Sequence, residues 1–174
     1  MSVIENLDFC QELRCLYMSK NLVSKISGLD NLTNLMTLDL SNNHLTRIEN
    51  LSMLEKLETL NVSRNSLATN ESISHLTECR ALHTLDITNN RLECAEAILR
   101  TLADIPALRT LSINGNEVTK VQNFRKASIF MMSRLGYLDR PVDVQERRSA
   151  TGKYIHTYTY TYNSCTECSH PSAI

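Results

Sequence analysis

The chain has 174 residues, with 18 basic and 19 acidic side chains and a formal charge of -1. That balance supplies no bulk positive field for general adhesion to nucleic acid or anionic lipid, and the length suits one core rather than two. Hydrophobic residues make up 42% but aromatic ones only 5%, and tryptophan is absent. Any core must therefore be aliphatic, and leucine alone fills 25 positions. No uninterrupted apolar run has spanning length, and the N-terminal stretch lacks a basic start followed by an apolar segment. The six cysteines, at 10, 15, 79, 94, 165 and 168, show no framework spacing. The expectation is a soluble, non-secreted chain in a reducing, cytoplasmic compartment.

Internal repetition decides the rest, because a fixed period of tens of residues changes the whole fold assignment. Leu35, Leu38, Leu40, Asn43, Leu45 and Ile48 spell LxxLxLxxNxLxxI, and Leu13, Leu16, Met18, Asn21, Val23 and Ile26 spell it 22 residues earlier. The pattern returns from Leu57 with Asn65, from Leu82 with Asn90 and from Leu108 with Asn116. Starting leucines at 13, 35, 57, 82, 108 and 135 give spacings of 22, 22, 25, 26 and 27. Residues 1–12 read as the second half of a truncated repeat, 13–134 as five repeats, and 135–150 as a C-terminal cap.

Within each repeat the central LxL predicts a short strand with its leucines inward and the residue between them outward. Stacking strands in parallel covers an aliphatic face that no lone repeat can bury. The predicted fold is α/β: a right-handed, curved β/α solenoid with a concave parallel sheet, irregular or helical segments outside, and a terminal cap. Asn21, Asn43, Asn65, Asn90 and Asn116 are expected to form an internal ladder of turn amides. On the outer side, Cys94–Ala103 places Ile98, Leu99 and Leu102 at helical spacing, with Pro106 beyond it. Asn123–Arg134 predicts a second helix with Phe124, Ala127, Phe130 and Met131 on one side and Arg125, Lys126 and Arg134 toward water. Leu135, Tyr137, Leu138, Pro141 and Val142 then offer a last strand-like edge and a turn.

The 22-residue spelling with its Ile-x-x-Leu-x-x-Leu tail (Ile26, Leu29, Leu32; Ile48, Leu51, Leu54) resembles the leucine-rich repeat subclass typified by a regulatory subunit of protein phosphatase 1. Further residues narrow the likeness. They are Glu12–Leu16 with Asn21–Ile26, Asn31–Asn43, Ile48–Leu54, His75–Cys79, the Asn114-Gly115-Asn116 turn, Asn123-Phe124-Arg125, and the closing Tyr137 to Val142. Together they resemble the leucine-rich repeat factors for axonemal dynein assembly over about residues 1–148. The resemblance implies a non-enzymatic cytoplasmic factor that helps preassemble dynein arms for motile cilia or flagella, with dynein arm subunits or co-assembly factors as partners. The family carries more repeat sequence before position 1, one more acidic residue in the closing motif and a long polar region afterwards. Those departures are what a fragment or a truncated gene model would show.

Beyond Ala150 leucine disappears and Thr, Tyr, Ser and Cys take over. Cys165, Cys168 and His170 fall short of the four ligands of a structural zinc site. The alternation from Tyr154 to Tyr162 favours a strand by period, yet it can also be encoded as a strict pyrimidine–purine alternation, as a translated dinucleotide repeat would be. Residues 151–174 are expected to be disordered and without selected chemistry.

Catalytic constellations are missing elsewhere too. The four glycines form no phosphate loop, and no metal or other cofactor is expected. Asp39 and Asp86 stand two repeats apart, roughly 10 Å at the ordinary strand spacing, too far to share a proton. The histidines, at 44, 75, 83, 156 and 170, occupy unrelated repeat positions and read as surface or cap residues. Cys15 and Cys79 read as small apolar or half-buried side chains with no base beside them. What remains is the concave face as a protein-binding surface: Arg14, Tyr17 and Lys20, then Asp39, then Glu58, Asn61 and Arg64, then His83 and Asp86, then Arg109 and Ser112. Tyr17 and the arginines are its best anchors. The row Cys15, Thr37, Thr59, Thr84, Thr110 reads as strand-forming rather than recognition. Direct nucleic-acid and membrane contacts are not expected. Two other roles stay open: a phosphatase-regulating repeat protein, and a splicing-type scaffold for an RNA-binding partner.

Overall fold

The computed structural model describes residues 2–150, so the expectations for the tail lie outside the described residues. Strands β1 (Cys15–Tyr17), β2 (Thr37–Asp39), β3 (Thr59–Asn61), β4 (Thr84–Asp86), β5 (Thr110–Ser112) and β6 (Tyr137–Leu138) lie side by side in chain order, all parallel. β7 (Arg140–Pro141) turns back antiparallel to β6. The pairing aligns Leu16, Leu38, Leu60, Leu85, Leu111 and Leu138, so the repeat register and the sheet register are the same. The expected solenoid is the observed architecture.

Each strand sits one residue earlier than the LxL reading placed it. In β2, Leu38 points into the core between Thr37 and Asp39, while Leu40 is buried just past the strand end. Pairing nonetheless runs on through the turn: Leu40 N donates to Asn61 O at 2.8 Å and Asn42 N to Ser63 O at 2.9 Å. Leu35, Leu38, Leu40, Leu45, Ile48 and Leu51 are fully buried, as are most of their counterparts in the following repeats. At the β1 edge, where a paired strand lies on one side only, Leu13 and Leu16 are left half-buried.

The turn asparagines knit neighbouring repeats together. Asn65 Oδ1 accepts from Leu45 N (2.9 Å), and its Nδ2 donates to Leu40 O of the previous repeat and to Val62 O of its own, both at 3.0 Å. Asn43, Asn90 and Asn116 repeat this arrangement with Val23, Leu67 and Leu92 as amide donors, and all four are buried. Asn21 is half-buried and donates to Met18 O and Ser19 O, carbonyls of its own turn.

A second device sits one residue before each of these amides. Lys20, Asn42, Arg64, Asn89 and Gly115 all have φ between 53° and 77°, the left-handed region where glycine and asparagine are at ease and longer side chains are strained. At Gly115 a Cβ would lie 2.3 Å from Asn89 Oδ1, the tip of an exposed side chain that can swing aside, so it is the φ of 77° that favours glycine there.

The outer side carries 3₁₀ turns at Ser74–Glu78 and Glu117–Lys120 and helices α1 (Ala95–Ala103), α2 (Phe124–Met131) and α3 (Val144–Ser149). α1 buries Ile98, Leu99 and Leu102. In α2 the inward face differs from the expected one. Phe124, Ala127, Ser128 and Ile129 are buried, while Phe130 and Met131 are 39% and 38% exposed. The helix packs between α1 and α3, which turns its Ile129 edge to the core.

Arg125 is likewise not a free surface cation. Its side chain, only 25% exposed, holds both carboxylate oxygens of Glu146 at 2.8 and 2.9 Å and reaches Leu138 O and Pro141 O. Arg140 adds a contact to Glu146 at 2.6 Å, and Asp143 with Glu146 forms a capping box on α3. Arg147 ties α3 to Ser133 O and Leu135 O. The cap is therefore latched by arginines onto backbone carbonyls.

The ladder geometry predicts that Asn65→Ala lowers stability in urea unfolding by about 1–3 kcal/mol, because a backbone donor and two carbonyls lose buried partners. The latch predicts a pH effect of definite sign. Hydrogen bonding from Arg125, then the Asp143 amide and Arg140, holds the Glu146 carboxyl at about 2 rather than 4.5. Its contribution is complete above the unfolded value and is lost as pH falls from about 4.5 toward 2. The stability gap between the native chain and Glu146→Gln should close across that window.

Candidate protein-binding face

The outward side chains of the strands form rows across the sheet. Nearest the strand starts stand Arg14, Glu58 and Arg109, all exposed, with Met36 and His83 half-buried among them. Next come Cys15, Thr37, Thr59, Thr84 and Thr110, in direct register. Cys15 is exposed rather than apolar or half-buried, since β1 is the sheet edge. Cys79 is buried as a small apolar side chain would be, and burial pushes its thiol up to about 11, which keeps it protonated at neutral pH. Beyond the threonines lie Tyr17, Asp39, Asn61, Asp86 and Ser112. Lys20 and Arg64 stand exposed at the left-handed turn position. Of the eleven predicted residues, five thus share one strand position, four (Arg14, Glu58, His83, Arg109) stand just before a strand, and two (Lys20, Arg64) lie in the turn after one.

Asp39, Asn61 and Asp86 are half-buried and partly occupied. Their Oδ1 atoms accept from the backbone two residues on, at Ser41 N (2.8 Å), Ser63 N (3.0 Å) and Thr88 N (2.9 Å). Each is an Asx turn that helps the chain leave its strand. Ser112 lacks that acceptor, and a residue from the cap supplies it: Asp139 Oδ1 takes Ile113 N at 2.7 Å and Asn114 N at 3.0 Å. Tyr17 is the most exposed aromatic on this side, at 68%.

Sequence reasoning missed the turn chemistry. A positive φ recurs at Lys20, Asn42, Arg64, Asn89 and Gly115, and the asparagines and glycine carry that signal, but lysine and arginine in two of the five places hide it. His75 was also missed. Its Nε2 accepts from Leu51 N at 2.8 Å, and Nδ1 lies 3.5 Å from Glu78, so it joins two outer turns rather than idling at the surface. Among the described residues no three or more His, Cys, Asp or Glu side chains gather as metal ligands, and no helix is long and apolar enough to cross a membrane.

Residues 20–160 match the leucine-rich repeat family. The chain belongs to that family. Its repeats are 46% identical over 78 residues to the leucine-rich repeat-containing protein ODA7 of Chlamydomonas reinhardtii, covering 44% of this chain and 18% of that protein. They are 45% identical over 78 residues to mouse (Mus musculus) dynein axonemal assembly factor 1, covering 44% of this chain and 12% of that one. The chain thus spans less than a fifth of either relative. Among solved structures, a chain of the Drosophila melanogaster SNF/U2A′ complex superposes with a TM-score of 0.74 at 25% identity, over 84% of this chain and 87% of that one. An internalin of Listeria monocytogenes gives 0.67 at 24%, over 82% and 39%, a likeness of fold alone.

Strain at the turn can be tested directly. Arg64→Gly removes the Cβ clash of the left-handed conformation and should raise stability by about 1 kcal/mol; thermal and urea unfolding of the two chains would measure it.

Proposed function

We propose that this leucine-rich repeat protein is a non-enzymatic binding factor in the assembly of axonemal dynein. It works in the cytoplasm on arms bound for motile cilia or flagella and engages dynein arm subunits or co-assembly factors through its sheet face. The observation that carries the reading is the 78-residue stretch shared at 45–46% identity with ODA7 and dynein axonemal assembly factor 1. That level of likeness lies well above the 24–25% shared with repeat structures of other name. The sheet face supports it physically: an in-register array with exposed Tyr17, Arg14 and Arg64 offers the side-chain types that dominate protein interfaces. The five repeats, the cap from 135 to 150 and the half-repeat before residue 13 are then one binding unit.

A second reading has its own support. The superposition on the SNF/U2A′ complex covers most of both chains, which suits a scaffold that presents an RNA-binding partner; nuclear location and co-purifying RNA would favour it.

The deciding experiment is capture of axonemal dynein arm subunits from the cytosol of ciliated cells, with the native chain and with Arg14→Glu plus Arg64→Glu. Charge reversal should reduce capture at least fivefold with no loss of folding. Undiminished capture by the double variant would place the contact on the outer helices instead.

A further inference from the structure

We infer that Asn114 is a site of spontaneous deamidation, in which the Gly115 backbone nitrogen displaces the side-chain amide, and that the isoaspartate left behind unlocks the last rung of the asparagine ladder. This holds whatever the sheet face binds.

The reaction needs only water. Gly115 N bonds to Asn114 Cγ and closes a succinimide ring, the Cγ–Nδ2 bond breaks, and ammonia leaves with the proton that the glycine nitrogen gives up. Water then opens the ring. Attack at Cγ gives aspartate; attack at the main-chain carbonyl gives isoaspartate, whose peptide link runs through the side chain and adds a methylene to the backbone. Nothing is oxidised or reduced.

The fold leaves both reacting groups available at this place. Asn114-Gly115 is the one Asn-Gly pair in the chain, and a residue without a side chain leaves its nitrogen unhindered. Both residues are exposed, so water reaches the ring. In the other four turns the amide at the glycine's position donates to the next repeat: Lys20 N to Ser41 O (3.0 Å), Asn42 N to Ser63 O (2.9 Å), Arg64 N to Thr88 O (2.9 Å) and Asn89 N to Asn114 O (2.8 Å). Gly115 N has no acceptor among the described residues, because β7 turns back antiparallel where a further repeat would have offered a carbonyl. The Asn114 side chain makes no hydrogen bond among them either. By contrast, the Asn65-Ser66 pair is closed to the same chemistry: the Asn65 amide is held at both ends and Ser66 N donates to Leu45 O at 2.8 Å.

The product acts on the ladder. Asn116 is 1% exposed. Its Oδ1 accepts from Leu92 N (3.1 Å), and its Nδ2 donates to Ile87 O (3.0 Å) and Ile113 O (2.7 Å). The last of these bonds closes over Asn114 and Gly115, so an extra methylene between them cannot leave all three bonds intact. Asn114 N, held by Asp139 Oδ1 at 3.0 Å, ties the same turn to the cap. Deamidation here therefore loosens the join between the fifth repeat and the cap, and the change builds with the age of the molecule.

The test ages the full chain for days, warm and at mildly alkaline pH, and maps the products by peptide mass and by enzymatic methylation of isoaspartate. The native chain should gain about one dalton at Asn114, with isoaspartate there, and its melting temperature should fall by several degrees. Asn114→Gln, whose longer side chain disfavours the ring, should show neither change. Fresh Asn114→Asp carries the charge without the extra methylene and should melt at the native temperature. Asn114 left unchanged in the folded chain while the guanidinium-unfolded chain converts would overturn the inference, as would an equal fall in aged Asn114→Gln. Isoaspartate at 114 with a native melting temperature, or a fall in fresh Asn114→Asp as large as in the aged chain, would overturn its effect on the ladder.

Discussion

The structure depends on one interaction repeated along its length: a buried turn amide bonded to the backbone of two repeats at once. A leucine stack alone would hold the repeats together without setting their offset, because apolar contact is non-directional. Asn43, Asn65, Asn90 and Asn116 supply the direction. Each accepts from an amide of the previous repeat and donates to carbonyls on both sides. Buried backbone groups that would otherwise stand unsatisfied in the turns are met, and the strands ahead of them are brought into register.

That same constraint shapes the two ends differently. Toward the C-terminus the repeat pattern is replaced by polar latches. Asp139 takes over the acceptor role that Ser112 lacks, and Arg125, Arg140 and Glu146 clamp α3 to the last strands. Pro141 stands in β7, where a missing amide donor discourages further pairing. At β1 the partly buried Leu13 and Leu16 reflect a paired strand on one side only. A solenoid is a one-dimensional object, and its energetics at any point are those of the adjacent turns.

The proposed binding rests on what the turns leave outside. The sheet face combines side chains committed to the fold with side chains that are not, and the two kinds are interleaved. Asp39 and Asp86 belong to the first kind through the oxygen that closes each Asx turn.

Much of this was legible in the residues. Leucine spacing and the recurring asparagine determined the parallel solenoid, the aliphatic core and the outer helix α1, because short-range periodicity maps directly onto which side chains face inward. The repeat spellings and the closing Tyr-Leu-Asp-Arg-Pro-Val stretch together carried the resemblance to dynein assembly factors. Tertiary structure alone decided the rest. It turned α2 so that Ile129 rather than Phe130 faces the core, drew Arg125 out of water onto Glu146, and gave His75 a backbone donor 24 residues away. It also set Lys20 and Arg64 in a left-handed turn. Each of these depends on partners far apart in the chain, and local spacing holds no record of which distant group will arrive beside a given side chain.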